Sequence, residues 1–426
     1  MVMAITISLF IFLLVFGCPI FFCIGIISVI FMTLKGEVLF NLPQQMFTGV
    51  DSFPLLAIPL FLLAGRIMNS GGITERIFRF AKTIVGHLEG GLGHVNVIAS
   101  LIFAGMSGSA VADAGGLGLM EITAMRKENY PDSFSAGITG ASCILGPLVP
   151  PSIPMVVYGV MANTSVGALF LGGFLPGFVL ALALMIMVAY ISHKEGYPRE
   201  KRATLFEIFI AFKDAFFALL TPVIIVGGIL SGIFTPTEAA AIASLYAIII
   251  SIFVYRELDF KQLVNDFKET AESASVICII MSLANVLGWV LLREQIPQKF
   301  TLALTSISEN PTIILFIIAG IVIFLGCFME GMSIMVITIP VILPLLNKLE
   351  INLVHFGVLM VLLTTFGLLT PPVGIAMFTI HDVAKIPFEE ILKGTVKFYI
   401  PILVVIAIMI LFPKTVLFIP NIFGFK

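Results

Sequence analysis

Charge is scarce in this sequence. Asp, Glu, Lys and Arg make up 11% of its 426 residues, against roughly 25% in an ordinary soluble domain, which excludes a solvated globular surface. The formal net charge of −2 excludes the basic face that nucleic acid demands, so no nucleic-acid partner is expected. The five cysteines (Cys18, Cys23, Cys143, Cys278, Cys327) all lie in apolar segments. Their spacing fits neither a disulfide scaffold nor a zinc site, and they read as small buried hydrophobes. The sequence has no His-Glu-x-x-His run, and His87, His94, His193, His355 and His381 are dispersed, so the commonest zinc-hydrolase signature is absent. Asp113 has no evident aspartate partner for intramembrane proteolysis. The N-terminus lacks a basic leader and a small-residue cleavage site, and the apolar run over 5–34 is too long for a signal core. It reads as a retained first span.

Apolar residues are abundant: 59% of the chain is hydrophobic, with a mean hydropathy of +1.14. Many windows exceed the roughly 20 residues needed to cross a bilayer as a helix. The runs do not alternate apolar and polar as a membrane barrel would, so the lipid bilayer is crossed by helices whose backbone groups pair internally. Full spans are expected at 4–33, 51–69, 134–162, 166–192, 214–232, 237–255, 272–292, 353–380 and 394–418. Two more apolar regions, 94–125 and 312–347, are interrupted near their middles by Gly105-Met106-Ser107-Gly108-Ser109 and by Gly326-Cys327-Phe328-Met329-Glu330-Gly331.

Loop charge orients these elements. Arg76, Arg79 and Lys82 precede the first interrupted region, and Arg126 and Lys127 follow it. The positive-inside rule puts both ends in the cytoplasm, which makes the region a re-entrant hairpin. The basic loop 193–202 is also cytoplasmic, and uncharged Asn163-Thr164-Ser165 falls outside. Arg256, Lys261 and Lys268 land inside. Arg293, Lys299 and Lys348 flank the second hairpin from outside, a mild violation of the rule. The N-terminus comes out cytoplasmic and the C-terminus periplasmic.

The two interruptions belong to a repeat. Ile102-Phe103-Ala104-Gly105 is echoed by Ile323-Phe324-Leu325-Gly326, and Gly146-Pro147-Leu148-Val149-Pro150-Pro151 by Gly367-Leu368-Leu369-Thr370-Pro371-Pro372, both at an offset of 221 residues. Each half reads as span, polar arm (35–50 or 256–270), span, hairpin, broken span and span, with 214–232 as an extra element between them. An odd number of crossings then separates the halves, giving an inverted-topology repeat of the kind built into secondary transporters.

Chemistry concentrates at the breaks. The glycine-rich stretch 105–116, with Ser107, Ser109 and Asp113, leaves backbone carbonyls without helical partners. Such carbonyls with hydroxyls form a hard-oxygen site suited to sodium; close helix packing by small residues is the structural alternative. Four prolines within 146–154 preclude a regular helix and free upstream carbonyls, as do Pro371 and Pro372 near Thr364 and Thr370. A simple kink is the alternative here. Among the few charges at membrane depth, Glu330 reads as a cation or substrate ligand, or as the cap of the next half-helix. Asp113 reads as a cap or loop residue, with a functional role for a charge at membrane depth as the alternative. Arg66 is expected to snorkel to a nearby cytoplasmic surface, and Glu238, after Thr235-Pro236-Thr237, to be a helix N-terminal charge.

The motifs Gly105-Met106-Ser107-Gly108-Ser109-Ala110-Val111-Ala112-Asp113, Gly146 through Pro154, Phe328-Met329-Glu330 and Leu369-Thr370-Pro371-Pro372-Val373-Gly374 resemble the large membrane subunit of tripartite ATP-independent periplasmic (TRAP) transporters, over essentially the whole chain. The resemblance implies an all-α polytopic protein of the bacterial cytoplasmic (inner) membrane, with two re-entrant hairpins and two broken helices, that works as an elevator. Residues 1–69, 166–292 and 386–426 would supply scaffold, arms and the C-terminal span; 70–165 and 293–385 would supply the moving hairpins and broken helices. It further implies sodium-coupled import of a small organic acid, of the sialic-acid or C4-dicarboxylate class. A periplasmic solute-binding protein would deliver the substrate, and a separate small four-span membrane subunit would accompany the chain. About two Na+ sites and no organic cofactor are implied. By motif, Ser107, Gly146, Val149 and Pro150 match the first sodium site, and Gly326, Gly367 and Thr370 the second. Ser107, Ser152 and Glu330 match positions near the substrate. Many relatives carry Asp where Glu330 stands, so its carboxylate reaches one methylene further. Two other readings are a stand-alone sodium/carboxylate symporter and, from another class, a membrane-embedded enzyme.

Overall fold

A computed structural model describes residues 6, 8–10, 12, 13 and 16–425. The described residues form helices and no strands. Among the described residues, seven helices are long and apolar enough to span a membrane, or eight if the bent pair Asp132–Leu148 and Ile153–Met161 counts as one span.

Most expected elements appear, with informative corrections. The span expected at 4–33 lies partly outside the described residues. Its described part turns at Gly17-Cys18-Pro19, and a regular helix starts only at Ile20–Lys35, because Pro19 cannot continue a helix from upstream. The span at 353–380 is broken where expected, into Leu353–Gly367 and Ile375–Ala384, parted at Pro371-Pro372. The second arm is not separate from its span. Phe260–Arg293 is one helix of 34 residues, since no Gly or Pro occurs between 257 and 287. The first arm does break, as Asn41–Val50, among Gly36, Pro43, Gly49 and Pro54. The extra element is longer than 214–232. It runs Leu205–Leu230 and starts at a capping box in which Thr204 and Glu207 satisfy each other's backbone amides. Glu238 does the same with Thr235 at the start of Pro236–Ile249.

Two amphipathic helices, Ile73–Val85 and Ile296–Ile307, lead into the hairpins. In the first, Ile73, Ile77, Phe78, Ala81 and Val85 are buried, at helical spacing opposite Arg76, Arg79 and Lys82. The limbs of each hairpin pack against each other. Helix ends recur at the 221-residue offset of the sequence motifs: the second limbs Leu117–Lys127 and Gly331–Lys348 both end on lysine, and Asp132 and Leu353 open the two broken helices.

The halves interlock. Asn41–Val50 packs along Phe260–Arg293, Ala57–Ser70 along Pro236–Ile249, and Asp132–Ser142 along Phe388–Leu411. That last crossing is a backbone approach. A Cβ on Gly137 would lie 2.5 Å from the Gly394 carbonyl carbon, and one on Gly394 would collide with the Ser133 carbonyl. Small residues at a crossing give close van der Waals packing, the main attraction left between helices in lipid.

Gly394→Val should therefore lower the apparent melting temperature in detergent, with a loss of roughly 1–3 kcal/mol as for other overpacked sites. Gly320→Val, where nothing lies within 4 Å, should change it by less than about 0.5 kcal/mol.

Candidate functional site

Each hairpin tip meets its own broken helix. The first tip forms because Gly91–Ser107 ends in Gly108, whose φ of +61° is left-handed. A Cβ on Gly108 would lie 2.6 Å from the Pro151 carbonyl oxygen, so conformation and contact both require glycine. Ser109 then turns extended, and its hydroxyl accepts from the Ala112 amide at 3.4 Å. The second tip follows the same plan with different chemistry. Pro311–Gly326 ends, Glu330 turns extended, and its carboxylate accepts from the Ser333 amide at 3.2 Å. Ser109 and Glu330 stand 221 residues apart, a hydroxyl cap against a carboxylate cap.

The breaks supply bare backbone. In the first, the short helix Leu145–Leu148 ends at extended Val149, and Pro150-Pro151 follows as a cis peptide. Neither proline donates, so the carbonyls of Gly146 and Pro147 lack their usual partners four residues on. Gly146 is buried, and a Cβ there would lie 3.2 Å from the Ser109 backbone. The second break also holds a cis Pro-Pro bond, Pro371-Pro372. It is pinned to the tip: the Val373 amide donates to the Cys327 carbonyl at 3.1 Å, and a Cβ on Gly326 would lie 2.6 Å from the Gly367 Cα.

Ser107, Gly146, Val149 and Pro150 are all buried. The Ser107 hydroxyl has no hydrogen-bond partner, so this set combines an orphaned hydroxyl with unpaired carbonyls and suits a hard cation. Gly326, Gly367 and Thr370 also come together, but the Gly367 carbonyl already accepts the Thr370 amide at 3.0 Å and the Thr370 hydroxyl at 2.8 Å. A cation at this second set would draw on the Thr370 oxygen's free lone pair and the Gly326 end.

Between the tips lies a cavity of about 850 Å³ whose wall includes Ser107, Ser109, Glu330, Ser333 and Thr364. That is the size of a small-molecule site. Ser152, expected near the substrate, does not line it. Its hydroxyl caps Ile153–Met161 by accepting from the Met155 amide at 3.3 Å. Arg66 lines the cavity instead. The expectation that it snorkels is corrected: Arg66 pairs with Glu269 and donates to the Ser273 hydroxyl at 2.9 Å, both on Phe260–Arg293. Partners more than 200 positions away in sequence leave no local trace, which is why sequence reasoning missed this residue. Asp113 is corrected too. It is 2% exposed, inside the short helix Ala110–Gly115 and away from the cavity wall.

The family model described as "Tripartite ATP-independent periplasmic transporter, DctM component" matches residues 7–415. The chain is 46% identical to the "Sialic acid TRAP transporter large permease protein SiaM" of Vibrio cholerae, covering 96% of each chain. It is 42% identical to the "Sialic acid TRAP transporter permease protein SiaT" of Haemophilus influenzae, over 95% of this chain and 66% of that one. It is also 36% identical to the "C4-dicarboxylate TRAP transporter large permease protein DctM" of Pseudomonas aeruginosa, over 90% of both. Among solved structures, the Alcanivorax borkumensis YdaH transporter shares the fold, with a TM-score of 0.65 at 12% identity over 86% of each chain.

The cap at the second tip is separable from its charge. Glu330→Ala should cost about 1 kcal/mol, as other lost N-caps do, visible as a lower melting temperature. Glu330→Gln, which keeps an acceptor oxygen, should melt close to the unaltered chain.

Proposed function

Since the chain belongs to the TRAP transporter family as a DctM component, a multi-pass transporter permease rather than an enzyme, we propose that it is the large subunit of a sodium-coupled importer of a small organic acid of the sialic-acid class. The observation that carries this reading is the cavity between the two tips. It joins the Ser107 hydroxyl, the Glu330 carboxylate and the Arg66 guanidinium around a volume suited to one small polar molecule. Arg66 gives it a cation, already oriented by Glu269 and Ser273, toward which a substrate carboxylate is drawn. Ser107 and Glu330 supply a hydroxyl and an acceptor for the substrate's hydroxyl and amide groups. The identity with sialic-acid permeases supports that class over C4-dicarboxylates.

Sodium enters at the tip-and-break junctions. Ser107, Gly146, Val149 and Pro150 would hold one ion, and Gly326, Gly367 and Thr370 a second. Oxygen ligands drawn from both a tip and a break let a bound ion fix the tip's position, which couples ion binding to closure over the substrate. The two hairpins and broken helices move together as an elevator against the interlocked long helices and arms. The halves are an inverted repeat in the bacterial inner membrane, with a cytoplasmic N-terminus and a periplasmic C-terminus. A periplasmic binding protein delivers substrate to the outer face, and a small four-span subunit accompanies the scaffold.

Reconstitution in proteoliposomes tests this reading. With the small subunit and the binding protein present, an inward sodium gradient should drive uptake of N-acetylneuraminate and leave succinate uptake at background. Uptake indifferent to sodium would reject the coupling. Uptake of free substrate without the binding protein would favour a stand-alone symporter. Thr370→Val, which removes one oxygen and keeps the shape, should raise the sodium concentration for half-maximal uptake several-fold while the chain still inserts and purifies.

A further inference from the structure

A second polar centre lies in the first half, apart from the cavity. Asp113 is 2% exposed and Glu121 1%. Neither lines the cavity, and neither forms an ion pair among the described residues. Asp113 Oδ2 and Glu121 Oε1 have no hydrogen-bond partner. The two acids lie close enough for their charges to interact, and Asp113 faces the Ser100 hydroxyl.

The surrounding hydrogen bonds run one way. Ser100 donates to Ser142 at 3.2 Å, Ser142 to the Asn96 side-chain oxygen at 2.6 Å, the Asn96 amide to Thr139 at 2.7 Å, and Thr139 to Glu121 at 3.5 Å. Each hydroxyl hydrogen is used inside the chain. What remains is a surplus of oxygen lone pairs and two carboxyl oxygens without partners. A buried carboxylate without a partner is strongly unfavourable, and two that interact repel as well, so the pair needs a bound cation or a proton.

Packing does not require this polarity. At the 221-residue offset, the six residues Asn96, Ser100, Asp113, Glu121, Thr139 and Ser142 correspond to Ile317, Ile321, Ile334, Ile342, Met360 and Leu363. Ile334, Ile342, Met360 and Leu363 are fully buried. The second half thus fills the equivalent positions with hydrocarbon. Apolar replacement of buried charge is often neutral or stabilising, so two acids kept here point to a ligand.

We propose that Asp113 Oδ2 and Glu121 Oε1, with the Ser100 oxygen, form a third sodium site, separate from the two tip-and-break sets. The proposal rests on the reading of the chain as a sodium-coupled transporter. It also ties the ion to the gate: the Asp113 amide donates to the Ser109 carbonyl at 3.1 Å, so an ion held by Asp113 steadies the turn that forms the first tip.

Equilibrium binding of radioactive sodium to the purified full-length chain tests it. Two double variants serve, D113N/E121Q and D113I/E121I, the latter copying the residues of the second half. Each should bind one sodium ion fewer per chain than the unaltered protein, and D113I/E121I should melt no lower than it. An unchanged ion count in a variant that remains folded overturns the proposal, leaving the acids a structural role. An unchanged sodium count accompanied by lost proton uptake on acidification also overturns it, in favour of a proton. If the unaltered chain binds no sodium at all, the sodium-coupled reading itself falls, which the variants alone would not show.

Discussion

In hydrocarbon, a backbone amide or carbonyl that lacks a partner within the protein costs several kcal/mol. Everything specific about this chain follows from where it breaks its helices despite that cost. The Pro-Pro pairs at 150–151 and 371–372 remove amide donors in the middle of two broken helices, and the hairpin tips end two more helices beside them. Each break is covered by a tip: Gly108 against Pro151 in the first half, and Val373 bonded to Cys327 in the second. The pairing sets tip backbone against break backbone in both halves.

The glycines at these junctions serve contact rather than flexibility. Gly326 and Gly367 meet backbone to backbone, and Gly146 sits on Ser109. A side chain at any of them would push a tip off its break. The same logic governs the crossing of Asp132–Ser142 with Phe388–Leu411 at Gly137 and Gly394. Close approach is the currency of helix association in lipid, and at these junctions it sets how closely each tip sits on its break.

The two halves share a backbone plan and differ in chemistry. Ser109 caps one tip and Glu330 the other, so the cavity between them is polar on one side and acidic on the other. The first half buries Asp113 and Glu121 where the second buries isoleucine. A repeated fold leaves each copy free to specialise, and the residues that depart from the repeat are where an individual role is to be sought.

Sequence by itself determined that the chain is a helical membrane protein and that it carries two related interruptions. Composition, Gly and Pro placement and a constant offset are local or periodic signals, and they survive in one dimension. The continuity of Phe260–Arg293 was missed although no Gly or Pro interrupts 257–287, because its polar first half reads as a separate arm. Only the tertiary structure decided that Arg66 faces the cavity with Glu269 behind it, that Ser152 caps a helix instead of lining the site, and that Asp113 and Glu121 share a buried polar network. Those outcomes depend on which helices become neighbours, and a side chain's partner more than 200 residues away writes nothing into the residues beside it.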